Sequence, residues 1–110
     1  MRASDLAMLY FLKTRYLHGP GPVYERAAAQ GRMLPEGVRF IDSWIVDDDR
    51  LDVCYEVVDA DDPALLDVWM ERWADLISAE VVPVIRSSEA AARVGCVWDG
   101  RAAPPTPNEP

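Results

Sequence analysis

Among its 11 basic residues the 110-residue chain has one lysine, Lys13, and it has one histidine, His18. The arginines are scattered singly from Arg2 to Arg101 and face 19 acidic residues, for a formal net charge of -8. Counterion-release binding to nucleic acid needs clustered Lys and Arg, so no nucleic-acid partner is expected. No apolar run approaches the ~20 residues of a membrane span. Asp5 and Lys13 bracket the short apolar stretch near the N-terminus, which therefore lacks the h-region of a signal peptide. The expected address is the cytoplasm, without a membrane partner. Two cysteines, Cys54 and Cys96, show neither a CxxC spacing nor a nearby histidine, so no metal site is expected and Cys54, inside a predicted strand, reads as a buried inert thiol. A nucleophile elbow, a phosphate-cradling glycine loop and a dinucleotide fingerprint are all missing, and no cofactor is expected.

What is present belongs to a globular protein. Half of the residues are apolar and 27% are charged, close to the ordinary balance of folded domains. A chain of this length supports one domain with one core. Residues 8–99 are read as that domain, residues 1–7 as an N-terminal extension and residues 100–110 as a disordered Pro-rich tail.

Met8 to Tyr16 is rich in aromatic and aliphatic side chains and stops at His18-Gly19-Pro20-Gly21-Pro22, which marks a first strand and a loop. Pro22 then suits the first position of a helix carrying Val23, Ala27, Gly31 and Leu34 on one face and ending at Pro35-Glu36-Gly37. Val38 to Val46 predicts a second strand, with Phe40, Asp42, Trp44 and Val46 on one face and Arg39, Ile41, Ser43 and Ile45 on the other. Leu51 to Val58 is a third strand, joined to the second by the charged turn Asp47-Asp48-Asp49-Arg50. Asp62 as N-cap and Pro63 at the first helical position open a second helix, with Leu66, Trp69, Met70, Trp73, Leu76 and Ile77 on its apolar face. Glu80 to Ile85 is a fourth strand, and Ser88 caps a last short helix that Gly95 terminates.

This β-α-β-β-α-β order is the split βαβ arrangement of an α+β, ferredoxin-like fold with an antiparallel four-stranded sheet. In that topology strand four is an edge, and Pro83 lies in strand four, where proline is tolerated. Two helices cover one face of the sheet. Strands one and three nevertheless offer apolar side chains to both faces, Leu9 and Phe11 opposite Tyr10 and Leu12, and Val53, Tyr55 and Val57 opposite Cys54 and Val58. A second subunit packed sheet to sheet is the simplest cover, so a homodimer is expected.

Met8-Leu9-Tyr10, Gly31-Arg32-Met33-Leu34-Pro35-Glu36-Gly37, Asp42-Ser43-Trp44, Asp61-Asp62-Pro63-Ala64-Leu65-Leu66, Trp69 with Arg72-Trp73, and Val82-Pro83-Val84 followed by Ser88-Glu89-Ala90 stand in an order and spacing that resembles the bacterial family called domain of unknown function 3303, over about residues 8 to 94. The resemblance implies a dimeric α/β barrel. Fold relatives include cofactor-free oxygenases, isomerases, cyclases, dehalogenase-like proteins and haem-binding proteins, an analogy that does not by itself assign a reaction.

Candidate chemistry rests on few side chains. His18 has the one side chain with an unperturbed pKa near neutrality, so it is either a general acid/base or a surface loop residue. Asp42, read beside Phe40 and Trp44, is either a desolvated carboxylate or the partner of an arginine such as Arg39 or Arg86. Glu56 on strand three has the same two readings. Tyr10 and Tyr55 either present hydroxyls to a pocket or pack with wet tips. Trp69 and Trp73, one helical turn apart, either floor an aromatic cavity that Trp44 meets from the sheet or form plain core. Asp42, Tyr55 and His18 are therefore the catalytic candidates, and Tyr10, Trp44, Trp69 and Trp73 the substrate-binding ones. The function expected is binding of a small apolar or aromatic molecule, as a cofactor-free tailoring oxygenase, isomerase or cyclase in biosynthesis. The alternative is a non-catalytic dimeric sensor or accessory protein that binds a metabolite or a protein partner.

Overall fold

The computed structural model describes residues 8–102. The expected extension at residues 1–7 and the tail beyond residue 102 lie outside the described residues. Seven elements follow in order: β1 (Met8–Tyr16), α1 (Pro20–Gln30), β2 (Val38–Ile45), β3 (Val53–Ala60), α2 (Ala64–Trp73), β4 (Ile77–Val84) and α3 (Ser87–Arg93). The strands form one antiparallel sheet in the order β2-β3-β1-β4, the ferredoxin-like arrangement. β1 and β3 are central, and Pro83 sits on edge strand β4 opposite Tyr10. Among the described residues no helix is long and apolar enough to cross a membrane.

Alternation along the central strands sets the two faces. Tyr10, Leu12, Thr14 and Tyr16 of β1, and Cys54, Glu56, Val58 and Ala60 of β3, are buried beneath α1 and α2. Val23 of α1 and Leu66, Trp69 and Trp73 of α2 complete this core. Leu9, Phe11, Tyr55 and Val57 lie half-buried on the opposite face, where the Phe11 and Tyr55 rings stack with centroids 5.5 Å apart. α1 and α2 leave that face uncovered, and α3 borders it, where Ser88, Glu89 and Arg93 line a hollow with Leu9 and Asp59.

Element boundaries shift where a local hydrogen bond or ladder outweighs the apolar pattern. α1 begins at Pro20 rather than Pro22, because Gly19 at φ 80 turns the chain out of β1. It ends at Gln30, where the Gly31 N–H, at φ 69, returns to the Ala27 carbonyl, so Leu34 lies beyond the helix. α2 ends at Trp73 because the Leu17 N–H takes the Leu76 carbonyl at 2.8 Å and Ile77 already pairs with Tyr16 in the sheet. At the start of α2, Asp62 caps the first turn: its Oδ1 accepts the Ala64 N–H at 2.9 Å. Gly37, at φ 94, accepts the Asp61 N–H on its carbonyl, and a Cβ there would stand 2.7 Å from Leu65 Cδ1. Only glycine fits that crossing of β2 and α2.

β2 is where strict alternation fails. Phe40 pairs with Val58 but Asp42 pairs with Val57, so the register slips by one residue at a bulge around Ile41. A one-residue slip exchanges the faces of everything downstream. Phe40, Ser43 and Ile45 consequently share the helix side with Val58, Glu56 and Cys54, whereas Asp42 and Trp44 join Val57 and Tyr55 on the open side. The expected shared face of Phe40, Asp42 and Trp44 is thereby corrected.

Candidate functional site: a cavity between sheet and helices

Beneath the two long helices the core is not filled. A cavity of about 360 Å³ lies between the sheet and α1 and α2, within the ~300 to 1,000 Å³ of small-molecule sites. β1 contributes Thr14 and Tyr16, α1 Val23, Tyr24 and Ala27, the turn after α1 Gly31 and Arg32, β3 Glu56, α2 Trp69, Met70 and Trp73, and β4 Ile77.

The tryptophans form its wall because they are spaced by four on α2 and so share the sheet-facing side. Both are buried, and both indole Nε1–H groups donate to one acceptor, the Arg32 carbonyl, at 2.8 Å from Trp69 and 2.9 Å from Trp73. Arg72 adds a bond from Nη1 to the Met33 carbonyl at 2.9 Å. Three donors from α2 therefore hold the turn between α1 and β2, in which Met33 adopts φ 56. With their N–H groups engaged, the indoles contribute apolar ring carbons to the lining. The Arg26 guanidinium lies 5.4 Å from the Trp73 centroid and pairs through two bonds with Asp75, which ties α1 to the end of α2.

The polar end of the cavity is Glu56. Its residue exposure is only 7%. Oε1 accepts a weak bond from the Cys54 thiol at 3.5 Å and stands 4.0 Å from Arg32 Nη1, while the buried Oε2 has no hydrogen-bond partner. Burial raises the Glu56 pKa from its usual 4.5, and Arg32 and the Cys54 thiol counter the rise only in part. The sign follows by linkage: stability supplied by protonated Glu56 is complete below pH 4.5 and is lost as pH rises through the raised folded-state value. The fold thus tolerates an under-paired carboxyl group on a cavity wall, which marks it as a functional-site candidate.

The groups beside Glu56 keep their protons. Burial, with Glu56 beside it, pushes the Cys54 thiol up to about 11, so Cys54 is an unreactive thiol at neutral pH. Burial also raises the Tyr16 hydroxyl, which neighbours Cys54. The Thr14 hydroxyl donates to the Cys54 carbonyl at 3.3 Å. Arg32 is partly exposed, stacks its guanidinium 3.6 Å from the Phe40 centroid and reaches Ser43 Oγ at 3.4 Å. It stands where bulk water meets the carboxylate.

Of the sequence candidates, Trp69 and Trp73 line the cavity. Trp44 does not meet them: it is 54% exposed on the open face. Asp42 is on that face too, and its Oδ1 accepts the Ser43 N–H at 2.8 Å. Tyr55 stacks on Phe11 there. Tyr10 is buried on the helix side with its hydroxyl 3.7 Å from Met8 Sδ, outside the cavity lining. His18 is exposed in the loop after β1. Thr14, Tyr16, Arg32 and Met70 are lining residues the sequence reading did not single out. Glu56 had a readable signal: on β3 it is the one charge in phase with Cys54, Val58 and Ala60.

No curated protein and no solved structure matches the chain. The family model described as domain of unknown function (DUF3303) matches residues 8–96, from the first strand through the last helix, and the chain belongs to that family.

Proposed function

We propose that the protein is a cytoplasmic homodimer whose cavity, one in each subunit, binds a small, largely apolar or aromatic molecule and acts on it without a cofactor, as a tailoring enzyme. The observation that carries this reading is a cavity lined by two indoles and by a buried carboxyl group with one oxygen unpartnered. A solid helix–sheet interface would have favoured a non-catalytic accessory protein. Burying an unpaired polar atom costs about 1 to 3 kcal/mol, a cost that a ligand hydroxyl or amine donating to the Glu56 carboxyl group would reduce.

The dimer is supported by the open face of the sheet. Its charged side chains are Lys13, Arg15 and Arg39 against Asp42, Asp59 and Glu80, three of each sign. Arg39 pairs with Asp59 and Lys13 stands opposite Glu80. A face without net charge, on a chain of -8, is the one on which two copies meet without repulsion.

Calorimetric titration with 2-naphthol tests the cavity. The wild type is expected to bind with Kd on the order of 10 to 100 µM, as suits a ligand of that size. Ala27→Phe, placed to fill the space from α1, is expected to weaken binding at least tenfold without lowering the melting temperature. A wild type that takes up no 2-naphthol, or an Ala27→Phe variant that binds it equally well, overturns the reading.

A further inference from the structure

The buried carboxylate and the guanidinium beside it are a base and an anion holder placed together at one end of an otherwise apolar space. Glu56 Oε2 has no protein partner, Oε1 is partly engaged by the Cys54 thiol, and Arg32 Nη1 stands 4.0 Å from Oε1 at the rim. We propose that Glu56 is the proton-transferring residue of this cavity and Arg32 its oxyanion-holding residue, and that the substrate is a neutral, mostly apolar ketone or related carbonyl compound with a C–H bond next to the carbonyl. This inference rests on the cavity being a ligand site.

The chemistry closes without any further reagent. The Glu56 carboxylate takes the proton from the carbon next to the carbonyl: the C–H bond breaks and an O–H bond forms. The freed pair becomes the C=C bond of an enolate, and the carbonyl π pair moves onto oxygen. That negative charge develops beside the fixed positive charge of the Arg32 guanidinium at the rim of the cavity, which stabilises it. Glu56 then delivers a proton, either to the same carbon, which inverts it or, once the abstracted proton has been replaced by a solvent deuteron, exchanges it, or to the far end of a conjugated enolate, which shifts a double bond. The net reaction is an isomerisation, and atoms and electrons balance with no oxidant, reductant or cofactor.

Other groups at this end do not compete for the role. The Cys54 thiol and Tyr16 hydroxyl hold their protons at neutral pH because they are buried. The indole N–H groups are engaged by the Arg32 carbonyl. Burial raises the proton affinity of Glu56, which makes it a stronger base than an exposed carboxylate while Arg32 opposes full neutralisation. The indole faces suit a flat, apolar body.

The test uses 2-tetralone in D2O, with exchange of its α-hydrogens followed by proton NMR and its binding measured separately by calorimetry. The wild type is expected to speed exchange at least tenfold over buffer. Glu56→Gln is expected to return exchange to the buffer rate while binding 2-tetralone within threefold and melting no lower than the wild type, since a neutral amide is easier to bury than a carboxylate. Glu56→Asp, which keeps the acid one methylene shorter, is expected to retain part of the acceleration. Arg32→Met is expected to lose most of it. Binding without accelerated exchange in the wild type overturns the proton-transfer role and leaves the ligand site standing. So does a Glu56→Gln variant that exchanges as fast as the wild type. No binding of 2-tetralone by the wild type overturns both.

Discussion

Trp73→Ala is expected to lower the unfolding free energy by about 3 to 5 kcal/mol, the range for truncating a large buried aromatic. A domain of this size has roughly 5 to 15 kcal/mol in total, so the variant is expected to be marginal at 37 °C. The effect exceeds lost burial because Trp73 also packs under the Arg26 guanidinium and donates to the Arg32 carbonyl. Trp69 donates to the same oxygen, which makes the two indoles interdependent. Trp69→Phe or Trp73→Phe alone leaves the carbonyl one donor, whereas the double variant removes both. The double change is therefore expected to cost more than the two singles together, by about 0.5 kcal/mol or more. Urea unfolding of the four proteins measures this coupling. Additivity within about 0.3 kcal/mol would show that the turn after α1 does not depend on the shared acceptor.

The second large effect concerns assembly. Phe11 stacks on Tyr55 at the centre of the open face, which is flanked by Val57 and Val82. A specific interface of standard size hides roughly 800 Å² per partner, an area the face of a four-stranded sheet can supply. Phe11→Asp places a charge where the partner's sheet would press, and a buried unpaired charge is not tolerated. Light scattering is expected to give a dimer mass for the wild type at micromolar concentration and a monomer mass for the variant, a loss of affinity of at least a hundredfold. The cavity opens on the other side of the sheet, so the monomer is expected to keep its melting transition within a few degrees. A wild type that is already monomeric at that concentration removes the sheet-to-sheet dimer and the barrel architecture with it.

The limits of sequence reading fall at identifiable places. Strand order was legible because Pro83 excludes a central position for β4 and because β1 and β3 carry apolar side chains on both faces. The Trp69 and Trp73 wall was legible because spacing by four on a helix is unambiguous. The bulge near Ile41 was not, since it has no composition signature: it moved Asp42 and Trp44, read as sharing a face with Phe40, to the far side of the sheet. Glu56 stands on the cavity side instead. Its position in phase with Cys54, Val58 and Ala60 was visible, but a carboxylate at an inward position looks the same in sequence whether an arginine pairs with it closely or leaves it under-paired. Only the distances separate the two, with Arg32 at 4.0 Å and Oε2 unpartnered. Arg32 itself was invisible as a site residue because it is brought to the cavity by a turn that two indoles and Arg72 hold from another element.

Crystals grown with 2-naphthol give the most direct measurement of the central claim, because they report where a ligand sits rather than whether one binds. The account predicts ring density against Trp69 and Trp73 in the cavity of about 360 Å³, with the naphthol oxygen within hydrogen-bond distance of the Glu56 carboxyl group. Density confined to the open face beside Phe11 and Tyr55, with the cavity closed by movement of Met70 or Arg32, would contradict it.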